Sequence, residues 1–368
     1  MMNDHLSLVD STGSKSPSQT HIKIAEETIN VRNAASNLSR MRLEWKTPAE
    51  WPTKFLIVSK EHDQELLVPI IAQLASWLIY ESPLGKIKEG VFLHVGPHLA
   101  CLISKDNVLN ELYRSKRLLF WSDEIQTDNI DLILTLGGDG TVLNAAWLFQ
   151  GIVPPILSFH FGTLGFLTLF DFDRFQETIT NILEKGTRIN TRMRFECRLF
   201  KGNKECSKYQ VLNELVIDRG PSPFMALIEC YGDGNLLTTV QSDGLIVATP
   251  TGSTAYSMSA GGSIVHPDVP SILITPICPH TLSFRPFLLP DSMHLTLRVS
   301  PTSRSGTAWI AFDGRSRVEL EINDEVRVCC SEFPVPTICD RDQTLDWFGG
   351  LTRCLHWNER GHAYVKER

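Results

Sequence analysis

A glycine-rich pentapeptide, Gly137-Gly138-Asp139-Gly140-Thr141, directly follows the apolar run Leu132–Leu136. The apolar run predicts a buried strand, and the glycines predict a tight turn that opens a helix. In open α/β sheets, ligands bind at this position, outside the carboxyl end of a strand. Glycines let the backbone approach a phosphate closely, and the amides at the start of a helix can face an anion. The pentapeptide therefore predicts an α/β fold with an anion site at this turn.

Asp139 is the exception in this turn, because a carboxylate beside a phosphate is unfavourable unless it has a task. It could hold a metal ion, accept a proton or simply form the turn, since Asp-Gly is also a common turn dipeptide. The pentapeptide alone leaves these three alternatives open.

Apolar patterns around the pentapeptide alternate between strands and helices. Strands are predicted at 55–58, 91–93, 130–136 and 155–159, and helices at 66–79, from the pentapeptide to Leu148, and at 172–183 behind the N-cap Asp171. This alternation predicts a parallel sheet with helices on both faces. From about residue 190, short alternating runs between turn signals predict an all-β region, for example at 195–200, 226–231 and 295–299.

The chain is therefore divided into four predicted segments. Residues 1–50 are rich in Ser, Asn and Thr and are predicted to be a disordered tail. An α/β domain follows at 51–190, and a β-rich domain at 191–335. The C-terminal segment, 336–368, is expected to pack back on the α/β domain.

Composition excludes several classes of function. A formal net charge of −7 argues against non-specific nucleic-acid binding, which needs a basic surface. Polar residues and prolines break the apolar stretches before the length that a membrane span needs, so we expect no membrane partner. The first 40 residues mix acidic and basic side chains without a leader pattern, which predicts a cytoplasmic location. The nine cysteines lack a Cys-x-x-Cys pair, so no structural zinc site is expected.

Three further stretches could carry chemistry. His160–Leu167 places glycines after a predicted strand, Asn213-Glu214 ends the apolar run Tyr209–Leu212, and Ser242–Tyr256 is dense in hydroxyls and small residues. Each also has a structural interpretation: a simple chain turn, a solvated strand end, or helix caps. Taken singly, none of them identifies a function.

Taken in order, these stretches resemble the NAD kinase family, in particular its eukaryotic, fungal-type ATP-dependent NAD/NADH kinases. The resemblance covers about residues 43 to 358. It extends through three more stretches: Pro276–Pro286, Phe312-Asp313-Gly314-Arg315 and Cys354–Asn358. It implies transfer of a phosphoryl group from ATP to the adenosine-ribose 2′-hydroxyl of NAD, and possibly of NADH, with a divalent metal ion (Mg²⁺ or Mn²⁺), producing NADP and ADP. It also implies a homo-oligomer, with the β-rich domain as the interface.

The resemblance assigns roles to individual residues. Asp139 matches the family's proton acceptor, Asn213 and Glu214 match the pair that holds the ribose and adenine, and Asp243 matches a carboxylate near the nicotinamide end. The other NAD-binding matches are Gly140, Phe166, Thr254, Ala255, Tyr256, Ser257 and Ser259. The ATP phosphates are matched to Gly137, Gly138 and Thr141. No residue is assigned to the metal ion.

Two departures and two alternatives accompany the resemblance. Many relatives have two lysines after the first strand, where this chain has Val58-Ser59-Lys60, and the insertion at 201–208 is shorter than in animal relatives. Lipid kinases and phosphofructokinases share the strand followed by Gly-Gly-Asp-Gly, but the stretch 243–256 argues against them. A catalytically silent dinucleotide-binding regulator would need a broken catalytic carboxylate, whereas Asp139 and Glu214 are both present.

Overall fold

The computed structural model describes residues 42–60, 64–87, 90–122, 130–162, 164–281 and 283–357. A first region combines helices with a mixed, mainly parallel sheet, and a second region consists of two antiparallel sheets. This arrangement confirms the predicted fold class.

The first sheet has nine strands in the order β1-β8-β21-β6-β5-β2-β3-β4, with β7 beside β6. The pairs from β6 to β4 are parallel, whereas β8 is antiparallel to both of its neighbours. The strands are β1 (Arg42–Leu43), β2 (Lys54–Ser59), β3 (Phe92–Val95), β4 (Leu118–Phe120), β5 (Leu132–Leu136), β6 (Ile156–His160), β7 (Phe170–Asp171), β8 (Thr187–Arg192) and β21 (Val335–Ile338).

Helices cover both faces of this sheet, as the alternation of the sequence predicts. Along β2, Phe55 and Ile57 join one buried cluster, and Leu56 and Val58 join another on the opposite face. The helices of this region are α1 (Gln64–Ser76), α2 (Pro83–Ile87), α3 (Ala100–Ile103), α4 (Asn107–Arg114), α5 (Asp139–Trp147) and α6 (Phe175–Lys185), with a π-helical turn (Trp77–Glu81) and 3₁₀ turns at Pro48–Glu50, Pro97–Leu99 and Phe172–Arg174. Helix α5 packs on the Leu56 face, and α1 and α6 pack on the Phe55 face.

The second region contains two six-stranded antiparallel sheets, ordered β10-β9-β20-β17-β12-β13 and β16-β15-β14-β11-β18-β19. Their inner faces share one apolar cluster. The strands are β9 (Phe195–Lys201), β10 (Lys204–Val211), β11 (Glu214–Asp218), β12 (Ala226–Gly232), β13 (Asn235–Ser242), β14 (Gly244–Ala248), β15 (Ser271–Ile277), β16 (Phe287–Pro290), β17 (Leu295–Val299), β18 (Thr307–Phe312), β19 (Arg315–Glu321) and β20 (Glu325–Cys330). A 3₁₀ turn (Thr251–Thr254) and the short helix α7 (Tyr256–Ser259) follow β14.

The chain returns to the first sheet after β20. Strand β21 inserts between β6 and β8, and helix α8 (Gln343–Leu355) follows it. At the other end of the chain, residues 1–41 of the predicted tail lie outside the described residues. Its described part, 42–50, instead contains strand β1, which pairs with β8, and a 3₁₀ turn.

The helical segment Gln64–Ile87 is long and apolar enough, by length and composition alone, to cross a membrane. Pro69 and a few polar residues interrupt its apolar runs, as the sequence indicates, but its mean hydropathy is still high. A core helix passes the same test, and 56% of this window is buried inside the fold. Ile71, Leu74 and Leu78 are among its fully buried side chains.

Arg194 joins the two regions. Its buried guanidinium donates to four backbone carbonyls: Ala146 (3.3 Å), Phe149 (2.8 Å), Gly151 (2.6 Å) and Phe333 (2.5 Å). The first three lie at or just beyond the C-terminus of α5, where helix carbonyls lack partners. Arg194 therefore fixes the end of the helix whose other end carries Asp139.

We expect Arg194→Met to lower the free energy of unfolding by roughly 3 kcal/mol or more, because it leaves several buried carbonyls without a donor. Urea denaturation measures this change. The control is Arg174→Met, whose side chain is 70% exposed and pairs with the exposed Glu177; it should change stability by less than about 0.5 kcal/mol. Equal effects of the two substitutions would contradict the role of Arg194.

Candidate active site

The carboxylate of Asp139 is held at the start of α5 by the loop that follows β6. Its Oδ2 accepts the amide of Phe166 (2.9 Å), and its Oδ1 accepts the amide of Leu167 (3.0 Å) and the hydroxyl of Thr168 (3.3 Å). Three donors fix both oxygens in one orientation. The structure therefore places two predicted site residues, Asp139 and Phe166, in direct contact.

Gly165 makes this contact possible. A Cβ at Gly165 would lie 2.0 Å from Oδ1 of Asp139 and 2.7 Å from Oγ1 of Thr168, and neither distance can be tolerated. The amide of Gly165 also donates to Oγ1 of Thr168 (3.0 Å). A glycine is required here because of this close approach.

The pentapeptide forms the predicted strand–turn–helix. Gly137 has a φ of +153° and donates its amide to the carbonyl of Phe159 (3.0 Å), while Thr141 donates its amide to the carbonyl of Gly138 (2.9 Å). These two amides are therefore engaged within the fold. Gly138 and Gly140 have nothing within 4 Å of where a Cβ would be, so their backbone faces open space. The open side of the turn lies at these two glycines.

Lys60 lies against the same turn. Its Cγ would be 3.1 Å from a Cβ built on Gly137, so the lysine stem passes over the start of the pentapeptide. The side chain is exposed, which leaves its ammonium group able to reach an anion at the turn. The lysine whose role the sequence left uncertain is therefore beside the phosphate-binding candidate residues.

Asn213 and Glu214 lie where β10 leads into β11. The buried carboxylate of Asp313 accepts the backbone amides of Leu212 (2.8 Å), Asn213 (2.8 Å) and Glu214 (3.1 Å). Asp313 thus fixes the backbone here, while the side-chain atoms Oδ1 of Asn213 and Oε2 of Glu214 are buried without a hydrogen-bond partner among the described residues. Buried polar atoms are normally paired, so these two atoms are candidates for ligand contact.

Glu214 has an unusual protonation behaviour. Burial, reinforced by the nearby charge of Asp313, raises the pKa of Glu214 to about 8, against a partial opposing effect of the Tyr256 amide. Burial likewise raises the pKa of Asp313, although three amides and Arg194 act in the opposite direction. Glu214 is therefore mainly protonated at neutral pH and can donate as well as accept a hydrogen bond.

We expect the stability of the unliganded protein to fall as pH rises from about 5 to about 8. The unfolded chain loses the Glu214 proton near pH 4.3, whereas the folded chain keeps it until about pH 8. Folding therefore takes up a proton in this window, so the free energy of unfolding decreases as the pH rises through it. Melting temperatures measured from pH 5 to 9 should fall less steeply for Glu214→Gln. The exposed control Glu177→Gln should keep the wild-type slope, and parallel profiles for wild type and Glu214→Gln would contradict this assignment.

The turn after β14 packs directly on Asn213. The hydroxyl of Thr249 donates to the carbonyl of Leu212 (2.6 Å), its amide donates to the carbonyl of Asn213 (2.9 Å), and a Cβ on Gly252 would lie 2.2 Å from that same oxygen. The last residue of this turn and the residues that follow it differ in exposure from the buried Thr251. Thr254 and Ala255 are half-buried and Tyr256 is 45% exposed, so they can line an open surface beside Asn213.

Ser257 and Ser259 are less suited to ligand contact. Ser257 is buried, and its Oγ is 2.8 Å from Oγ1 of Thr275, so it holds α7 against β15. Ser259 is exposed at the end of α7.

Asp243 lies apart from Asn213 and the turn that packs on it. It precedes β14, whereas the Thr249 turn follows that strand, and five strand residues at roughly 3.3 Å each separate the two ends by about 17 Å. Its Oδ1 pairs with Nε of Arg219 at 3.0 Å. Asp243 therefore lies at the opposite end of β14 from Asn213.

Helix α5 connects Asp139 with the Asn213 turn. Leu212 is buried in one cluster with Val142 and Ala145 of this helix. At the end of the helix, Trp147 stacks on Tyr209 with ring centroids 5.8 Å apart. The helix that begins at Asp139 therefore also packs on the segment that leads to Asn213.

The C-terminal helix α8 completes the environment of Phe166. A Cβ on Gly350 would lie 3.3 Å from Cδ1 of Phe166, and Sγ of Cys354 donates to the carbonyl of Leu164 (3.5 Å). The ring of Trp347 packs on His266, with centroids 4.9 Å apart. Helix α8 therefore contacts both the loop that holds Asp139 and the second region.

Sequence reasoning missed the parts of Gly165, Asp313 and α8 in this arrangement. Asp313 and Cys354 stand in stretches that carry the resemblance, and Gly165 stands in the glycine-bearing stretch after β6, so those patterns were the available signals. In the part of the chain that the structure describes, no group of three or more His, Cys, Asp or Glu residues is placed to hold a metal ion.

The fold and site define a protein whose predicted site residues lie on a glycine turn of an α/β region and on a polar turn of a β region. The ATP-NAD kinase N-terminal domain model matches residues 86–187, and the ATP-NAD kinase C-terminal domain model matches residues 212–339. Together the matches cover more than half of the chain. The chain belongs to the ATP-NAD kinase family.

Individual relatives agree with this family. The ATP-NADH kinase YEF1 of Saccharomyces cerevisiae is 50% identical over 262 residues, 66% of this chain and 52% of the relative. The NAD(+) kinase of the same yeast is 39% identical over 371 residues, 95% of this chain and 67% of the relative. The chain thus spans about half and two thirds of the lengths of these two proteins.

Solved structures show the same fold. Yeast NADH kinase complexed with NADH superposes with a TM-score of 0.72 at 31% identity, over 86% of this chain and 90% of that chain. An NAD kinase from Archaeoglobus fulgidus in complex with ATP superposes with a TM-score of 0.56 at 22% identity, over 82% of this chain and 99% of that chain. At that identity the second likeness supports the fold alone.

Proposed function

We propose that this protein transfers the γ-phosphoryl group of ATP to the adenosine-ribose 2′-hydroxyl of NAD or NADH, giving NADP or NADPH and ADP. The observation that carries the proposal is the carboxylate of Asp139, fixed by the amides of Phe166 and Leu167 beside the open glycine turn. The unpaired polar atoms of Asn213 and Glu214 supply hydrogen-bonding groups for the acceptor nucleotide. The names of the yeast relatives support both forms of the acceptor.

Asp139 has two tasks in the proposed reaction. It orients the 2′-hydroxyl, and it takes the hydroxyl proton as the new oxygen–phosphorus bond forms and the bond to ADP breaks. In a loose phosphoryl-transfer transition state the nucleophile needs little early activation, so a carboxylate suffices as a late proton acceptor. The two amides that hold its oxygens keep the carboxylate in place without reorganisation.

The glycine turn and Lys60 are the proposed contacts for the triphosphate. Gly138 and Gly140 leave the helix start open to a phosphate, and Lys60 lies over the turn. A divalent cation supplies charge neutralisation of the transferring group when it is bound. Since the described residues offer no cluster of acidic ligands, the cation fits best as a complex with the triphosphate oxygens and water, the usual situation for Mg²⁺.

We also propose a homo-oligomeric state and a cytoplasmic location for this protein. Exposed Leu236 and Leu237 on the edge strand β13 support a homo-oligomeric contact through the β region. Light scattering after size-exclusion chromatography tests it. A cytoplasmic location is our proposal from the sequence, and fractionation with an antibody against the chain tests it.

Incubation of the purified protein with ATP, Mg²⁺ and either NAD or NADH tests the proposed function. NADP is detected with glucose-6-phosphate dehydrogenase, and NADPH by its absorbance after chromatography. We expect product from at least one acceptor and complete loss of product with excess EDTA. No product from either acceptor with Mg²⁺ or Mn²⁺ would refute the proposal, whereas turnover in EDTA would refute the metal requirement.

A further inference from the structure

His160, the last residue of β6, has a buried side chain whose hydrogen bonding is incomplete. It is 8% exposed, and its Nδ1 has no hydrogen-bond partner among the residues that the structure describes. Buried polar atoms are normally paired, because an unpaired donor or acceptor loses its hydration without compensation. The surroundings of His160 indicate what supplies the missing partner.

The strand register places His160 beside the glycine turn. Leu136 of β5 pairs with Phe159 of β6, and the amide of Gly137 donates to the carbonyl of Phe159 (3.0 Å). Gly137 and His160 therefore follow each other's paired residues on two neighbouring parallel strands, whose backbones lie about 4.8 Å apart. His160 is thus at the carboxyl edge of the sheet, where α/β folds bind their ligands.

The side chain of His160 lies on the sheet face that α5 covers. Side chains alternate along a strand, so His160 shares its face with Ser158. The hydroxyl of Ser158 donates to the carbonyl of Leu167 (2.7 Å), and the amide of Leu167 donates to Oδ1 of Asp139 (3.0 Å). Leu167 also packs in the apolar cluster of α5. A continuous set of contacts therefore joins the face that carries His160 to the carboxylate of Asp139.

Lys60 lies on the other side of the same turn. The strand order is β6-β5-β2, so the ends of β6 and β2 flank the glycine turn at the end of β5. Leu56 and Val58 of β2 face α5, and the same alternation places Lys60 on this face. A lysine ammonium has three N–H donors, and an imidazole has at least one in either protonation state. The turn is therefore flanked by an N–H donor on each side.

The edge of the sheet around His160 is open and holds other unpaired polar atoms. Gly162 is exposed, with a φ of +88° and nothing within 4 Å of a Cβ built on it. Within the described ranges of the chain, Oγ of Ser59 and Oγ1 of Thr135, near the ends of β2 and β5, are also buried without a partner. Unsatisfied side chains on three adjacent strands indicate that this edge receives polar groups from outside the protein chain.

We propose that His160 is a phosphate-binding residue for ATP, which donates an N–H group to the triphosphate from the side of the glycine turn opposite Lys60. A phosphate oxygen then provides the acceptor that the buried imidazole lacks. Hydrogen bonds to a charged acceptor are stronger than those between neutral groups. The N–H group also stabilises the phosphate charge close to the carboxylate of Asp139. This inference rests on the proposed function, in which the turn holds the triphosphate.

Calorimetric binding of Mg²⁺-ATP in the absence of NAD, together with steady-state kinetics, tests the proposal. We expect His160→Leu to weaken ATP binding and to raise KM for ATP about 10-fold, because it removes a hydrogen bond to a charged group. His160→Gln should have a smaller effect, about threefold, because its amide keeps an N–H donor without the geometry of the ring. The affinity for NAD should stay within twofold of wild type in both variants.

His94→Leu is the matched control. His94 is 5% exposed, and its Nδ1 likewise lacks a partner in the part of the chain that the structure describes. The register through Leu56 and Ile133 places His94 level with Ile156, four residues and about 13 Å before His160 along the strands. This variant should alter the melting temperature without altering ATP binding, which separates a structural effect from a ligand contact.

A folded His160→Leu that binds ATP within twofold of wild type would overturn the proposal, and so would a loss of affinity for NAD in place of ATP. If His160→Leu does not fold, His160→Gln decides: wild-type ATP affinity overturns the proposal, and affinity weakened about threefold supports it. ATP binding is measured without turnover. A wild-type protein that binds ATP but forms no product therefore refutes the proposed function alone.

Discussion

Replacing Asp139 with Asn is expected to lower turnover at least about 100-fold while NAD still binds. The amide cannot take the proton of the attacking hydroxyl. The substitution also has a structural cost, since Oδ1 and Oδ2 both accept N–H groups and one of them would be replaced by an NH₂ donor. A small drop in melting temperature should therefore accompany the much larger kinetic effect.

Asp131→Asn is the matched control for this substitution. Asp131 lies at the amino end of β5, the same strand whose carboxyl end leads to Asp139, and it accepts the amides of Thr53 (2.8 Å) and Lys54 (3.0 Å). This variant should lose similar stability but keep near-normal turnover per folded molecule. Turnover of Asp139→Asn within tenfold of wild type would show that Asp139 only forms the turn.

Replacing Gly165 with Ala is expected to reduce turnover by about 100-fold through a single added methyl group. That carbon would lie 2.0 Å from Oδ1 of Asp139 and 2.6 Å from its Cγ, so the carboxylate or the loop must move. A shift of about 1 Å at a reacting group is enough for such a loss. Asp139 itself is unchanged, so the substitution tests its position rather than its chemistry.

Gly151→Ala is the control, because nothing lies within 4 Å of its added Cβ. Comparison of kcat and NAD affinity for the two variants separates a displaced carboxylate from a damaged binding site. We expect Gly165→Ala to retain its circular dichroism spectrum and to lose kcat. A kcat within threefold of wild type would mean that the loop relaxes without moving Asp139.

Much of the fold could be predicted because its signals are local. The apolar run before Gly137 and the glycines themselves define a strand, a turn and a helix start within ten residues, and the structure forms all three. Residues 226–231 alternate in sequence, and β12 alternates in burial in the same way. Periodicity along a single element reports which of its faces is buried.

The missing parts depend on contacts between distant residues. Asp313 accepts amides about 100 positions earlier in the chain, and Gly165 is required only because Asp139 happens to lie against it. No spacing rule connects such partners. The antiparallel pairing of β8 with β21 is non-local in the same sense, as it joins residues more than 140 positions apart.

The position of β21 has a consequence for synthesis of the chain. Strand β21 lies between β6 and β8, so the first sheet has a gap until residue 338 is available, after the whole β region has been made. Domains usually fold in order as they leave the ribosome. Until β21 has been synthesised, nothing joins β6 to β8 in the first sheet. Helix α8, which contacts Phe166, is synthesised after β21. A truncated chain that stops before β21 would thus leave an open sheet edge, a surface prone to wrong pairing. The proposed activity should appear only after α8, which ends at Leu355, has been released.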